Sequence, residues 1–125
     1  MLEVNDYVRI NMDNRNCIGI GRVSRIVNET IYVNMNNKYN LPVPFQIDKV
    51  VKHSKQLIDL IEVGDIVNSC IVVGFGYECV NGNKEKSILV EGKYTKVNFA
   101  LLNWDIKTIL TKEIYMANCY KVGGE

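Results

Sequence analysis

Hydrophobic and polar residues alternate in short runs along the first half of the chain, a pattern typical of β-strands with one buried face. The predicted strands cover residues 6–10, 18–27, 30–33, 39–45 and 47–52. Gly19 and Gly21 in the second run indicate a bend or a bulge. Pro42 and Pro44 confine the fourth run to a sheet edge or an extended connector, because proline lacks the N–H that a ladder needs. These features predict a small curled barrel.

The second half repeats this pattern with a longer hairpin at its centre. Its predicted strands cover residues 71–73, 87–91, 94–102, 106–110 and 119–122. Asn81-Gly82 is the strongest turn signal in the chain, because both residues adopt positive φ readily. Thr111 is a suitable N-cap with Glu113 in the first turn, so a short helix is predicted over residues 112–118. The predicted fold class is mainly β, with two small barrels or curled sheets and one short C-terminal helix.

The two halves share a sequence similarity at their beginnings and ends. Residues 3–8 (EVNDYV) and 62–67 (EVGDIV) agree at four of six positions, with an offset of 62 − 3 = 59 residues. The same offset carries Phe45 onto Trp104 and Val50 onto Ile109. Because both ends agree in one register, we predict a tandem repeat, roughly residues 1–59 and 60–118.

This repeat also predicts the domains and the hydrophobic core. The domains are a first β unit at 1–54, a linker at 55–61 whose apolar face packs one half on the other, and a second β unit at 62–125. The predicted core of the first unit is Val4, Val8, Ile10, Val23, Ile26, Ile31, Val33, Phe45, Ile47 and Val50. The predicted core of the second unit is Val63, Ile66, Val67, Ile71, Val73, Ile88, Val90, Trp104, Ile106 and Ile109.

Composition narrows the class of protein. The chain has 125 residues, of which 47% are hydrophobic and 23% charged, and its formal net charge is +1. It can bury a core, but it lacks the strong positive charge expected of a dedicated duplex-DNA binder. No apolar run reaches the roughly 20 residues that a membrane span needs, and no signal peptide is recognised. We therefore expect a cytoplasmic protein without a membrane partner.

Little in the sequence points to catalysis or metal binding. Cys17, Cys70, Cys79 and Cys119 form no closely spaced pair, and the single histidine, His53, is distant from them in sequence. Zinc sites commonly draw on such pairs, so we expect partly buried, reduced thiols. Neither a phosphate-binding loop nor a complete dinucleotide motif is present. We therefore expect no enzymatic activity, no metal and no cofactor.

Arginine and tyrosine side chains are the best candidates for binding. All four arginines lie in the first 59 residues, which carry eight Lys and Arg against six Asp and Glu. Arginine and tyrosine dominate protein interfaces and also bind phosphates and bases. The candidate partner- or ligand-binding residues, expected on one rim of the first barrel, are Arg15, Arg22, Arg25, Tyr32 and Tyr39. The alternative interpretation is a solvated face with scattered charge.

Two parts of the sequence resemble known families. Residues 3–10, followed by Gly21-Arg22-Val23-Ser24-Arg25-Ile26, resemble SH3-like barrels of the Tudor and KOW kind. The run from His53 to Asp65 and the C-terminal residues 105–124 are similar to small uncharacterised proteins of phages and prophages of low-GC Gram-positive bacteria. The first resemblance implies an SH3-like barrel in the first half, and the internal repeat extends this expectation to two tandem SH3-like barrels. The second resemblance implies an accessory role in the cytoplasm of a bacterial host. They bring no catalytic residues with them.

Three functions are compatible with these observations. The first is non-enzymatic, stoichiometric binding that inhibits a host protein, a component of antiviral defence, as anti-CRISPR and similar counter-defence proteins do. The second is binding of a nucleotide signal or nucleic acid by the arginines and tyrosines, which predicts a steep salt dependence. The third is a role in virion assembly, which predicts self-association through exposed strand edges.

Overall fold

The computed structural model describes residues 1–12, 17–35, 41–92 and 98–118. They form two five-stranded antiparallel sheets and one short C-terminal helix. The predicted mainly-β fold class is therefore confirmed. Within these ranges, no helix is long and apolar enough to cross a membrane.

The first sheet follows the predicted strands closely. Its strands are β1 (Tyr7–Asn11), β2 (Ile18–Val27), β3 (Thr30–Asn34), β4 (Val43–Gln46) and β5 (Val50–Ser54), which lie in the order β4-β3-β2-β1-β5. The prediction of one strand over residues 47–52 is wrong at its start, because a 3-10 turn at Ile47–Lys49 precedes β5.

The second sheet has an extended central hairpin. Its strands are β6 (Ile66–Val67), β7 (Cys70–Val80), β8 (Asn83–Glu91), β9 (Asn98–Leu102) and β10 (Ile109–Leu110), in the order β10-β6-β7-β8-β9. A 3-10 turn at Asn103–Asp105 follows β9. Asn81 and Gly82 form the predicted turn, with φ of 50° and 83°. Helix α1 spans Lys112–Asn118, as predicted, whereas the strand predicted at 119–122 lies outside the described residues.

The two sheets share one strand order and one turn. Read from the last edge, the second sheet is β9-β8-β7-β6-β10, which matches the first strand for strand. Asp6 and Asp65 stand before the first strand of each sheet, and each carboxylate accepts the backbone N–H three residues earlier, at 3.0 and 2.8 Å. Their backbone carbonyls accept the N–H groups of Val23 and Val72, each at 2.8 Å. This is the relationship that a tandem repeat predicts.

Near the end of each sheet the repeat has a different register from the one expected. The 3-10 turn that follows β4 begins at Ile47 and the one that follows β9 begins at Asn103, so the offset there is 103 − 47 = 56 residues. Trp104 lies in the second of these turns and is 54% exposed. Phe45 instead lies in β4 and packs against the first core. The predicted equivalence of Phe45 and Trp104 is therefore wrong.

Each sheet buries its own hydrophobic cluster. The cluster of the first sheet is Val8, Ile10, Val23, Ile31 and Val33, and that of the second is Ile58, Ile61, Val67, Val72, Ile88 and Val90. Six predicted core residues are instead exposed, namely Val4, Ile47, Val63, Ile71, Val73 and Trp104. They lie in turns, on an outer sheet face or at a bulge, where alternation along the sequence does not report which side is buried.

Residues 55–61 are tightly integrated with the second sheet. A 3-10 turn at Leu57–Leu60 buries Ile58 and Leu60 completely. Ile58 belongs to the second core, and its backbone N–H donates to Asn103 Oδ1 at 2.9 Å. The segment also contacts the first sheet, because Arg9 of β1 donates to the backbone oxygen of Leu60 at 3.1 Å.

Candidate functional site

A bulge in β2 places two of the candidate arginines on one face of the first sheet. In a regular strand, residues three apart point to opposite faces. Here Arg22 lies opposite Asn34 and Arg25 lies opposite Tyr32, because the register shifts by one residue at Ser24. Asn34 and Tyr32 are two residues apart on β3 and share a face, so their arginine partners share it too. Both arginines are exposed.

Each of these arginines lies over a tyrosine ring. The guanidinium carbon of Arg25 is 4.2 Å from the centre of the Tyr32 ring, and that of Arg22 is 5.0 Å from the centre of the Tyr7 ring. We call these four residues the arginine face. Neither arginine forms an ion pair within the part of the chain that the structure describes. Arg22 Nε also donates to the backbone oxygen of Asn5 at 3.1 Å. Cation–π contacts of this kind hold a guanidinium in place while its terminal N–H groups stay available for other partners.

The structure brings three of the five candidate binding residues together. Arg22, Arg25 and Tyr32 lie on one face, and Arg25 contacts Tyr32 directly. Arg15 and Tyr39 lie outside the described residues. Sequence reasoning did not identify Tyr7. Alternation along the first strand places Tyr7 on the face opposite to Val8, and this pattern could have identified it as an outward-facing aromatic residue.

An open groove continues from the arginine face to the second sheet. Its volume is about 860 Å³, within the range common for ligand-binding clefts. One wall is the outer face of β1 and β2, including Tyr7 and Arg22, and the other is the segment 106–111. Arg22 and Lys107 supply its cationic groups, and no carboxylate from the described residues lines it. The groove is therefore suited to an anion that also carries an apolar surface.

Arg9, at the centre of β1, has a different role. Arg9 is 1% exposed and donates to both oxygens of Asp65, at 2.6 and 3.0 Å. It also donates to Glu113 Oε1 at 2.8 Å and to the backbone oxygen of Leu60 at 3.1 Å, and its Nε lies 3.3 Å from Glu62 Oε2. Burial opposes the charge, but the surrounding carboxylates outweigh it and raise the pKa of Arg9. Arg9 is thus a structural connection between the sheets.

A second charged cluster surrounds the equivalent aspartate of the first sheet. Asp6 is 2% exposed, and its carboxylate lies 2.6 Å from Lys55 Nζ and 3.3 Å from His53 Nδ1. The hydrogen bond from Lys55 lowers the pKa of Asp6 against the opposing effect of burial, and the backbone N–H of Glu3 lowers it further. The hydrogen bond to Asp6, together with one to the side chain of Glu3, raises the pKa of Lys55. These groups stabilise a turn, as expected for a repeated aspartate.

Thiols and acidic groups do not assemble into a metal site in the described ranges. No group of three or more His, Cys, Asp or Glu side chains there has the arrangement to hold an ion. Cys17, Cys70 and Cys79 are free, and Cys79 is exposed rather than partly buried as expected. Cys119 lies outside the described residues.

The arrangement of these residues therefore favours recognition of an anionic group by exposed arginines. The SH3-like and phage-protein resemblances stay predictions. Comparison of the chain with protein-family models, with curated proteins and with solved structures found no match.

Proposed function

We propose that the protein acts without turnover, by stoichiometric binding of an acidic surface on a partner protein through the arginine face. The observation that carries this proposal is the position of Arg22 and Arg25 on one sheet face, each over a tyrosine ring and without a carboxylate partner in the described structure. Arginine and tyrosine are the residues that most often dominate the binding energy of protein interfaces.

Preorganisation supports this role. Binding normally costs conformational entropy when a long side chain becomes ordered. The ring contacts of Arg22 and Arg25 restrict both side chains before a partner arrives, and Ser24 Oγ donates to the backbone oxygen of Tyr32 at 3.1 Å beside them. The N–H groups of each guanidinium match a carboxylate in a bidentate geometry. A partner surface with Asp or Glu side chains at matching positions would thus form strong, specific contacts.

The sequence resemblance suggests which kind of partner to seek. The similarity of the chain to phage and prophage accessory proteins supports a bacterial host protein as the partner. Among host proteins, we favour a component of antiviral defence. In this role the protein occupies a surface of the defence component and inhibits it, as anti-CRISPR proteins do. The location is then the cytoplasm of the infected cell.

The experiment is affinity capture with matched charge reversals. Tagged wild-type protein and the Arg25→Glu and Lys84→Glu variants are produced in low-GC Gram-positive cells, and the amount of any stoichiometric partner is quantified. Arg25 and Lys84 each lie over a tyrosine, are exposed and lack a described carboxylate partner, so the substitutions change charge equally. We expect Arg25→Glu to reduce partner recovery at least tenfold and Lys84→Glu to leave it near the wild-type level. Equal recovery with all three proteins would contradict the proposal.

The groove favours a second candidate function, the binding of a nucleotide signal. One wall carries Arg22 and the other carries Lys107, and no carboxylate of the described residues lines the groove, so a phosphate would be attracted by both walls. The test is calorimetric titration with nucleoside triphosphates and cyclic dinucleotides. Binding that weakens with salt, is lost in Lys107→Ala and persists in Arg25→Ala would support this function, because Arg25 lies outside the groove. The absence of binding by every probe would reject it for these ligands.

A further inference from the structure

The hairpin of β7 and β8 extends beyond the rest of its sheet. β9 pairs with β8 only from Ser87 to Glu91, and β6 pairs with β7 only at Cys70 and Ile71. The two strands continue together as far as Val80 and Asn83. The outer part of the hairpin is therefore a two-stranded arm whose edges have no neighbouring strand in the described structure.

The free edge of β7 runs from Val73 to Cys79. On this side Val72 is already engaged, since its N–H donates to Asp65 O at 2.8 Å and its oxygen accepts from Gly64 N at 2.9 Å. Beyond it no backbone partner other than β8 is described, whether in a strand or in a loop. The apolar side chains along this edge are exposed, with 43% exposure at Phe75 and 63% at Tyr77.

The backbone groups that face outward can be assigned from the hairpin. A two-residue turn is closed by a pair that exchanges both of its hydrogen bonds, which here is Val80 and Asn83. Bonded and non-bonded pairs alternate in an antiparallel ladder. Counting back from Val80, the N–H and C=O groups of Cys79, Tyr77 and Phe75 therefore point away from β8. They are available to another strand.

We propose that a second copy of this chain pairs with this edge, β7 against β7, to form a symmetric antiparallel dimer. Gly76 is the midpoint of the free edge, so a two-fold axis there matches the whole free stretch of one copy to that of the other. Phe75 then lies opposite Tyr77 of the second copy, and Tyr77 opposite its Phe75. Each of these pairs brings together residues whose backbone groups face outward, so both of its hydrogen bonds can form.

Side-chain chemistry fits this self-pairing. Aromatic pairs across neighbouring strands are among the favourable contacts in sheets. Gly76 at the axis has no side chain, which allows the two backbones to approach closely. Glu78 is the single charged residue from Val73 to Cys79, and in this register it faces Gly74 of the second copy rather than another carboxylate. Like charges are therefore not placed opposite one another.

The two edges of the arm differ in their protection against pairing. Natural sheets commonly protect exposed edges with lysine or proline. The free part of β8 carries Lys84 and Lys86, whereas the free part of β7 carries neither lysine nor proline. The edge without lysine or proline is thus β7, the strand that can pair with its own copy in a favourable register. A dimer formed there carries two arginine faces, so it could engage two sites on one partner with greater avidity.

Analytical ultracentrifugation over a wide range of protein concentrations tests this proposal. We expect a monomer of 14.3 kDa at low concentration and twice that mass at high concentration. Phe75→Lys and Tyr77→Lys should each raise the dissociation constant at least tenfold, because each change places a lysine on both sides of the axis. The matched control is Phe99→Lys, since Phe99 is 44% exposed on β9 at the opposite edge of the same sheet. This variant should dimerise like the wild type.

Hydrogen exchange distinguishes edge pairing from other modes of association. The amide protons of Phe75 and Tyr77 should exchange more slowly at concentrations where the dimer forms, and Phe99 should not change in the same way. A chain that stays at 14.3 kDa at every concentration would overturn the proposal. So would a dimer that survives Phe75→Lys and Tyr77→Lys, or one in which these two amides gain no protection.

Discussion

Arg9 of the first sheet and Asp65 of the second form a buried, bidentate ion pair, with nitrogen–oxygen distances of 2.6 and 3.0 Å. Asp65 also accepts the backbone N–H groups of Glu62 at 2.8 Å and Lys112 at 2.9 Å. One carboxylate therefore connects a strand of the first sheet, the turn before the second sheet and the beginning of α1. This polar cluster therefore holds the two sheets together.

Loss of the Arg9 cation should strongly destabilise the protein. Arg9→Met leaves the buried carboxylate of Asp65 without its cation, for which we expect a loss of about 3–5 kcal/mol in the free energy of unfolding. Arg22→Met removes an exposed arginine from the same sheet and should cost less than about 1 kcal/mol. Urea denaturation of both variants provides the measurement. Similar losses in the two variants would contradict the structural role of Arg9.

Acid should remove the stabilisation that Asp6 provides. Because Lys55 lowers the pKa of Asp6 in the folded protein, this stabilisation is present above the unfolded carboxyl pKa of about 3.9 and is lost as the pH falls through the lower, folded value. The stability difference between wild type and Asp6→Asn should therefore shrink as the pH falls below about 4. Asp48→Asn, at an exposed carboxylate without a described ion pair, is the control and should show little difference at either pH. A difference for Asp6→Asn that is independent of pH would contradict this assignment.

The register of the repeat can be tested at Trp104. Since this side chain is 54% exposed, Trp104→Ala should change the free energy of unfolding by less than about 1 kcal/mol. Ile88 is completely buried in the second core, and Ile88→Ala should cost about 2–5 kcal/mol. Thermal or urea unfolding measures both. A larger loss of unfolding free energy for Trp104→Ala than for Ile88→Ala would contradict this register and support the offset of 59 residues at this end of the sheet.

Close packing at β2 requires glycine at position 21. A methyl group added to Gly21 would lie 2.5 Å from Val33 Cγ1 and 2.6 Å from Met35 Sδ, so Gly21→Ala should cost about 1–3 kcal/mol. At Gly74 the nearest atom would be Leu89 Cδ1 at 3.7 Å, an ordinary contact distance. Gly74→Ala is therefore the matched control, with an expected change below about 1 kcal/mol. Equal effects in calorimetric unfolding would contradict this packing.

Local signals in the sequence were sufficient to predict most elements of the fold. The bounds of β2 at residues 18–27 and of α1 at 112–118 follow from alternation and from the N-cap at Thr111, whose Oγ1 accepts the N–H of Ile114 at 3.4 Å. The hairpin at Asn81-Gly82 follows from turn chemistry. These features depend on residues that are close together in the chain, which is why a single sequence reports them.

The features that determine the site depend on contacts that are distant in sequence. The bulge at Ser24 decides that Arg22 and Arg25 share a face, and it arises from pairing with β3 rather than from the glycines expected to mark it. Arg9 is buried because Asp65, 56 residues away, lies against it. Neither alternation nor composition separates this buried arginine from the exposed ones. Sequence reasoning therefore identified the residue types of the arginine face but not its geometry.

Native mass spectrometry of gently purified protein from bacterial cells tests the central claim, stoichiometric binding through the arginine face, most directly. We predict a complex with the defined additional mass of one host protein, present for the wild type and for Lys84→Glu, and lost when Arg22 and Arg25 are both replaced by Glu. A complex that persists unchanged in this double variant would contradict the claim. A spectrum showing only the bare chain, or only an additional mass of small-ligand size, would contradict it as well.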